Sequence, residues 1–218
     1  MRDWMLMILV GLLGSGVVVR AGEEADFLEL QAEGDFIVRH YEPQLLAEVL
    51  IDASMRDAGN IAFRPLFRYI SGHNKPNQKI AMTAPVSQES QKIPMTAPVG
   101  QEARDGKWVV SFMMPQHFTL ETLPEPLDPA ISIRAVPARK VAAVRYGGGW
   151  SEKRYHTHLA RLESWMGKAK LEAAGEPIWA RYNGPFTPWF LRRNEILIPI
   201  KHFPVQQADG LLLEPSEH

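Results

Sequence analysis

The chain has 218 residues, a net charge of −1 and a hydrophobic fraction of 45%, which fits one large domain or two small ones and excludes wholesale disorder. The near-neutral charge gives no indication of a nucleic-acid surface. The chain has no cysteine, which excludes disulfides, cysteine-ligated metal centres and a cysteine nucleophile.

The first 21 residues have the pattern of a targeting segment. An apolar run from Trp4 to Val19 follows Met1-Arg2-Asp3, and Val19-Arg20-Ala21 places small residues where a signal peptidase needs them. The run is shorter than the about 20 residues of a typical membrane-spanning helix. We therefore expect residues 1–21 to be a secretory signal or, as the alternative, an uncleaved membrane anchor. Either outcome predicts an exported, periplasmic protein or one attached to the membrane through its N-terminus.

Two strands and a helix are predicted next. Phe36–Val38 and Leu45–Ile51 are rich in apolar and β-branched residues, and Pro43 lies between them, as expected at a strand start or bulge. The helix is predicted from an apolar stripe at i, i+3, i+4 and i+7, formed by Phe63, Leu66, Phe67 and Ile70. Pro65 is expected near the start of this helix or at a kink, and Gly72 is expected to end it.

An octapeptide occurs twice after this helix. Lys79–Val86 reads K-I-A-M-T-A-P-V, and Lys92–Val99 reads K-I-P-M-T-A-P-V at a shift of 13 positions. Each copy is strand-like and ends in Thr-Ala-Pro. Met82 and Met95 are therefore interpreted as packing residues rather than metal ligands.

The second half of the chain is predicted to hold five strands and one helix. The strands are Trp108–Met113, Ile131–Ile133, Lys140–Tyr146, Ile178–Tyr182 and Ile196–Ile200. The helix is predicted from an N-cap at Ser151 to Gly167. Gln116–Pro129 is proline-rich and is expected to be irregular. We expect one domain at residues 22–204 and a poorly ordered tail at residues 205–218.

A weaker repeat relates the two halves at a shift of 95 positions. Val38-Arg39 matches Ile133-Arg134, and Leu46–Val49 matches Val141–Val144 in the same register. This indicates a duplicated strand–strand–helix unit. The predicted fold class is α+β, a twisted sheet or distorted antiparallel β-barrel flanked by two main helices and built from a pseudo-symmetric duplication.

Several blocks along the chain resemble those of the SOUL haem-binding protein family, in the family's order. They are Val38–Pro43, Phe67–Gly72, both octapeptides, Ser111–Pro115, Leu120–Pro124 and Arg192–Glu195. The resemblance implies a distorted β-barrel with two helices, and it implies binding of haem b or another tetrapyrrole. Many members carry the octapeptide once, so the second copy is interpreted as an expansion of a hairpin loop.

The resemblance also directs attention to particular residues. His40 lies where some members carry an axial histidine, so it is the candidate ligand of the haem iron, with a surface histidine as the alternative. Strand alternation places it on the opposite face from Arg39 and Tyr41. Arg39, Arg64 and Lys79 are candidate partners of the haem propionates.

Other residues are interpreted as structural. His158 is expected to be a satisfied core histidine, and Gly147–Gly149 a flexible connection because the sequence context of a phosphate-binding loop is missing. The aromatic residues of the last third are expected to be mostly core, with some lining an apolar groove. They are Trp150, Trp179, Phe186, Trp189 and Phe190.

Three functions remain open at this point. The first is a non-enzymatic protein that sequesters or carries haem, since no catalytic motif is found. The second is binding or hydrolysis of other small amphipathic molecules in a gyrase-inhibitor-like fold, with Tyr182 as a candidate catalytic group. The third is a protein-interaction module of the cell envelope. None of them predicts a nucleic-acid partner.

Overall fold

The structure is a computed structural model that describes residues 23–75, 93, 95–183 and 186–203. The predicted targeting segment at residues 1–21, the first octapeptide copy with Lys79 and Met82, and the predicted tail at residues 205–218 lie outside the described residues. In the second octapeptide copy, Thr96–Ala97 forms a short strand that pairs with Glu23–Glu24.

The described part of the chain consists of short strands and two long helices. The strands are β1 Glu23–Glu24, β2 Phe27–Glu33, β3 Phe36–Tyr41, β4 Gln44–Ile51, β5 Asn74–Lys75, β6 Thr96–Ala97, β7 Val99–Arg104, β8 Lys107–Met113, β9 Glu125–Pro126, β10 Ile131–Val136, β11 Arg139–Gly147, β12 Ile178–Arg181 and β13 Arg193–Pro199. The helices are α1 Met55–Ile70 and α2 Glu152–Lys168. A 3-10 turn at Trp189–Leu191 precedes β13.

Nine strands form one antiparallel sheet in the order β10-β4-β8-β7-β12-β13-β11-β3-β2. The sheet curls into a half-barrel whose edges, β10 and β2, do not pair with each other. The predicted α+β class is therefore confirmed, and the predicted barrel is an open half-barrel. Strands β2 and β7 are absent from the sequence-based prediction.

The predicted duplication is visible in the topology. Strand β3 lies 95 positions before β10, and β4 lies 95 positions before β11. Exchanging β3 with β10, β4 with β11, β7 with β12 and β8 with β13 reverses the order of the eight strands from β10 to β3. A pseudo-two-fold axis therefore passes between β7 and β12, and each half carries one helix.

Helix α1 begins earlier than its apolar stripe predicts. Its N-cap is Ser54, whose hydroxyl accepts a hydrogen bond from the backbone N–H of Asp57 at 3.2 Å. Pro65 lies in the interior of the helix, so of its two expected places, near the helix start or at a kink, the first is wrong. An interior proline costs about 3 kcal/mol, and the packing of the helix on β4 and β8 offsets this cost.

The buried face of α1 differs from the predicted stripe. Ala58, Ala62 and Leu66 are fully buried against the sheet, whereas Phe67 is 48% exposed. Small side chains let the first half of the helix approach the strands closely. Because the sequence pattern weights only large apolar residues, it missed this half of the helix.

Helix α2 matches its prediction. Ser151 is the N-cap, and its hydroxyl accepts a hydrogen bond from the N–H of Arg154. Its buried side chains, Leu162, Trp165 and Met166 among them, share one core cluster with residues of β11 and β13. Both helices cover the same face of the sheet, called the helix face below. The other side, called the open face, carries no helix within the described ranges.

Candidate functional site

A cavity of about 150 Å³ lies on the open face of the sheet. Its lining includes six large apolar or aromatic side chains from six different strands, among them Phe27, Tyr41 and Leu46 on one half and Met113, Ile178 and Leu197 on the other. Strand alternation puts all six on the side away from the helices, and the curl of the sheet brings them together. The site therefore presents an apolar surface built by the whole half-barrel.

A groove of about 400 Å³ adjoins this cavity. Gln44, Met113 and Val136 line both depressions. The groove lies beside the β3–β4 and β10–β11 turns, where Pro43 and Pro137 add apolar walls. Pockets for small organic ligands occupy about 300–1,000 Å³, so the cavity is below that range and the adjoining groove is within it.

A buried ion pair lies on the open face beneath the cavity. The Arg39 guanidinium donates two hydrogen bonds to Glu195, at 2.6 and 3.1 Å, and the two residues are 1% and 0% exposed. Burial alone lowers the pKa of Arg39, but the bond to Glu195 and its charge outweigh that effect and raise it. Burial likewise raises the pKa of Glu195, and the contacts with Arg39 reverse this and lower it. Both groups are therefore charged.

Two further groups donate hydrogen bonds to Glu195, and the Arg193 guanidinium lies 3.8 Å from it as an additional ion pair. The Tyr182 hydroxyl donates a hydrogen bond to it at 2.8 Å, and the Arg145 guanidinium donates one at 3.0 Å. Burial, with the negative charge of Glu195, raises the pKa of Tyr182. Tyr182 is therefore a protonated hydrogen-bond donor. A catalytic role for Tyr182 would need a phenolate, and this environment does not favour one.

A second network holds the other half of the open face. Glu48 accepts hydrogen bonds from Arg134 at 2.8 Å and from Arg104 at 3.1 Å. Glu102 pairs with the same two arginines. The four charges compensate one another, so this network fixes the strands without leaving a net charge.

Arg139 differs from Arg134, the other described arginine that lines the cavity. Its guanidinium donates one hydrogen bond to the Gln44 side chain at 3.1 Å and lies 5.8 Å from the centre of the Tyr41 ring. Its Nη1 atom is buried and makes no hydrogen bond within the described part of the chain. No described carboxylate forms an ion pair with it, and burial lowers its pKa. Arg139 is the side chain at this cavity best placed to receive an anion.

Three of the four residues predicted from the family resemblance are described, and the structure places them apart. Arg39 is in the buried pair, whereas Arg64 is exposed on α1. His40 shares the helix face with Val38, and its Nε2 atom lies 3.7 Å from a carboxylate oxygen of Glu42. Its buried Nδ1 atom has no hydrogen-bond partner among the described residues. It therefore does not line the cavity. Lys79 lies outside the described residues, and an iron-ligating role for His40 stays a prediction.

The structure also tests the positions predicted for His158 and for the aromatic residues of the last third of the chain. His158 is half-buried and stacks on Tyr146 with ring centres 4.0 Å apart, which agrees with a structural role. Trp179 is buried as predicted. Phe186, Trp189 and Phe190 are 97%, 65% and 64% exposed, so the expectation of a core position is wrong for these three. They follow β12 in a connection that packs on the end of β11 rather than under a helix.

Sequence reasoning missed Glu195 and Arg139 as site residues. Glu195 belongs to an Arg-Arg-Asn-Glu block at a strand start, and a charged residue inside an otherwise apolar strand is a signal that could have found it. Arg139 opens a strand after Pro137, and nothing in its local sequence distinguishes it. Among the described residues, no cluster of three or more metal-binding side chains occurs. No helix in the described ranges combines the length and apolarity needed to span a bilayer.

Comparison with known proteins gives a family from the sequence and similar folds from the structure. The profile of the SOUL heme-binding protein family matches residues 22–199. Among solved structures, the EcmrR C-terminal domain superposes with a TM-score of 0.56 at 12% identity, covering 77% of this chain and 98% of that one. A hydrolase from Listeria innocua superposes with a TM-score of 0.50 at 12% identity, covering 78% and 94%. No curated protein matches at a significant level. At such identities, the structural likenesses show the fold alone.

Proposed function

Because the chain belongs to the SOUL heme-binding protein family, we propose that it binds haem b or a closely related tetrapyrrole and sequesters or carries it without catalysing a reaction. The observation that carries this proposal is the family match, which spans residues 22–199 and therefore the whole half-barrel. The apolar cavity on the open face and the adjoining groove support it, since a flat macrocycle is held largely by apolar contact.

The residues present fit an apolar ligand that carries carboxylates. Apolar side chains dominate the lining of the cavity, and Arg139 supplies a guanidinium that no described carboxylate neutralises. Arginine suits a carboxylate because it can donate two parallel hydrogen bonds. The cavity of about 150 Å³ is too small to enclose a macrocycle, so the ligand would extend over the adjoining groove.

None of the described residues that line the cavity is a histidine. A haem held there would contact Met113, Tyr41 or Tyr182 sooner than His40, which lies on the other face of β3. Binding through apolar contact and a carboxylate is therefore the form of the proposal that the geometry favours. The porphyrin of haem has a Soret absorption band that shifts when the environment of the macrocycle changes, which provides the assay.

The test is a haemin titration of the purified protein followed by the Soret band. We expect a saturable spectral change at micromolar haemin. Leu46→Trp fills the cavity and should weaken binding by about tenfold or more, which corresponds to about 1.4 kcal/mol. Leu50→Trp is the matched control, because Leu50 is on the same strand but is 53% exposed and outside the cavity. Absence of a saturable change, or equal effects of the two variants, would contradict the proposal.

A second ligand class is favoured by the volume of the cavity. A molecule smaller than a porphyrin, apolar and bearing one carboxylate, would fit within about 150 Å³ beside Arg139. Native mass spectrometry of protein purified without added haem distinguishes the two. A retained ligand that lacks the tetrapyrrole mass would favour the smaller molecule.

We also propose that residues 1–21 direct the protein out of the cytoplasm or hold it at the membrane. The apolar run from Trp4 to Val19 supports this proposal. Cell fractionation of the expressed protein, with N-terminal sequencing of the product, tests it. A cytoplasmic protein that keeps its first residue would contradict it.

A further inference from the structure

An exposed apolar cluster lies outside the linings of the cavity and the groove. Phe186, Trp189, Phe190 and Leu191 are 97%, 65%, 64% and 63% exposed and occur within six residues. Together they are called the aromatic loop. Soluble monomeric proteins rarely expose large apolar side chains in such density, and clusters of this kind mark interaction surfaces.

The base of the aromatic loop is held in place by hydrogen bonds. Leu191 and Arg192 donate backbone N–H bonds to Pro188 and Trp189, which close the 3-10 turn. The Arg192 side chain donates to the carbonyl of Thr187 at 2.8 Å, and its guanidinium lies 4.2 Å from the Trp150 ring centre. The apolar side chains are thus presented outward by a fixed turn.

The loop lies at one end of the sheet. The turn contacts the Gly147 end of β11, where Gly147 pairs with Arg193. The β10–β11 and β3–β4 turns and the groove lie at the opposite end of the same strands. The four side chains of the loop line neither the cavity nor the groove, although Tyr182 and Glu24 at this end of the sheet line the cavity.

The chain enters the described fold at the same end as the aromatic loop. Glu24 is ion-paired with Arg193, which is two residues after Leu191, the last residue of the aromatic loop. The sequence that leads to Glu23 contains the apolar run from Trp4 to Val19. Two apolar segments that are far apart in the sequence are therefore connected to one end of the half-barrel.

We propose that the aromatic loop docks on the surface of a lipid bilayer. Tryptophan, phenylalanine and leucine on the same exposed surface are the residues that enter the headgroup–acyl boundary of a membrane. Arg154 and Arg192, which contact the same end of β11 and Trp150, supply cations suited to lipid phosphates. The loop sets the orientation of the half-barrel on the membrane. The groove then lies at the end of the strands that is farther from the membrane. This inference is independent of haem binding.

The absence of cysteine from the whole chain allows one site to be labelled at a time. Leu191→Cys, labelled with an environment-sensitive nitrobenzoxadiazole dye, reports on the loop in the full-length protein. Leu120→Cys is the matched control, since Leu120 is also an exposed leucine, 56% accessible, and its neighbour Thr119 lines the groove at the opposite end. Both proteins are mixed with vesicles of phosphatidylethanolamine and phosphatidylglycerol.

We expect a saturable blue shift and intensity gain for the dye at position 191 and no change at position 120. Trp189→Ser with Phe190→Ser in the Leu191→Cys background should raise the lipid concentration needed for the shift by about tenfold or more. No shift at position 191, or equal shifts at both positions, would overturn the proposal. A shift that needs no vesicles and grows with protein concentration would instead assign the loop to contact between copies of this chain.

Discussion

Replacement of Arg39 by methionine is expected to lower the free energy of unfolding by about 3 kcal/mol at pH 7. Removing one partner of a buried ion pair costs about 3–5 kcal/mol, because the other charge stays buried. Here Glu195 would keep hydrogen bonds from Tyr182 and Arg145, which places the cost at the lower end of that range. For a domain of this size the melting temperature should fall by about 6–12 °C.

The cost should depend on pH in a defined direction. The pKa of Glu195 is lowered in the folded protein, so the pair contributes fully above the unfolded value of about 4.3. Its contribution is lost as the pH falls through the folded pKa. In the Arg39 variant, burial raises the pKa of Glu195 and the carboxylate is neutralised at a higher pH. The difference in stability between wild type and variant should therefore shrink on acidification.

Urea unfolding followed by circular dichroism at pH 7 and at pH 4 measures both effects. Arg64→Met is the matched control, because Arg64 is exposed on α1, and it should change stability by no more than about 0.5 kcal/mol. Glu195→Leu combined with Arg39→Met removes both charges and should recover part of the loss. An Arg39→Met cost below about 1 kcal/mol, or one that is the same at both pH values, would refute the role assigned to the pair.

Three further outcomes are expected. Gly59→Ala should destabilise the fold by about 1–3 kcal/mol in thermal unfolding, because its Cβ would overlap the Arg181 guanidinium, which a hydrogen bond to Gln101 and the rings of Trp150 and Trp179 hold in place. Gly167→Ala, with nothing within 4 Å of the added Cβ, should stabilise it by up to about 1 kcal/mol. Ser54→Ala should cost about 1 kcal/mol through loss of the α1 N-cap, seen as a lower urea midpoint at unchanged slope. His40→Ala should leave the Soret spectrum of the haem-loaded protein unchanged if haem binds at the cavity, and an altered spectrum would assign the iron to His40.

The repeated units were predictable because their spacing survives in the sequence. Val38-Arg39 and Ile133-Arg134 lie at equivalent places of β3 and β10, and the strand and helix assignments around them follow the same shift. Ser151 was recognised as an N-cap because its side chain acts locally. Features set by short-range chemistry or by a fixed shift are readable from one sequence.

Features that depend on packing between distant segments were not predictable. The first half of α1 buries small residues such as Ala58 and Ala62, so it carries no strong apolar periodicity. Strand β2 alternates apolar and polar residues and could have been found, but β7, with Gly100 and Gln101 in its centre, has no strand composition. Arg39 and Glu195 are 156 positions apart, and no local pattern links them.

The duplication explains where the charged residues of the open face lie but not how they are neutralised. Arg39 and Arg134 are equivalent in the repeat, and both face away from the helices. Arg39 is paired with Glu195 of β13, whereas Arg134 is paired with Glu48 of β4, whose equivalent is Ala143. A buried guanidinium needs a carboxylate within reach, and each half supplies it from a different strand.

The charge that remains uncompensated at the cavity determines which ligands the open face suits. With Arg39 and Arg134 neutralised by glutamates, the cavity keeps one lining guanidinium, that of Arg139, for which the described residues supply no carboxylate. Desolvation without a counter-ion is unfavourable for this group and lowers its pKa. A ligand carboxylate would relieve that cost, whereas a cationic ligand would add to it. The open face is therefore suited to an apolar molecule with a negative group.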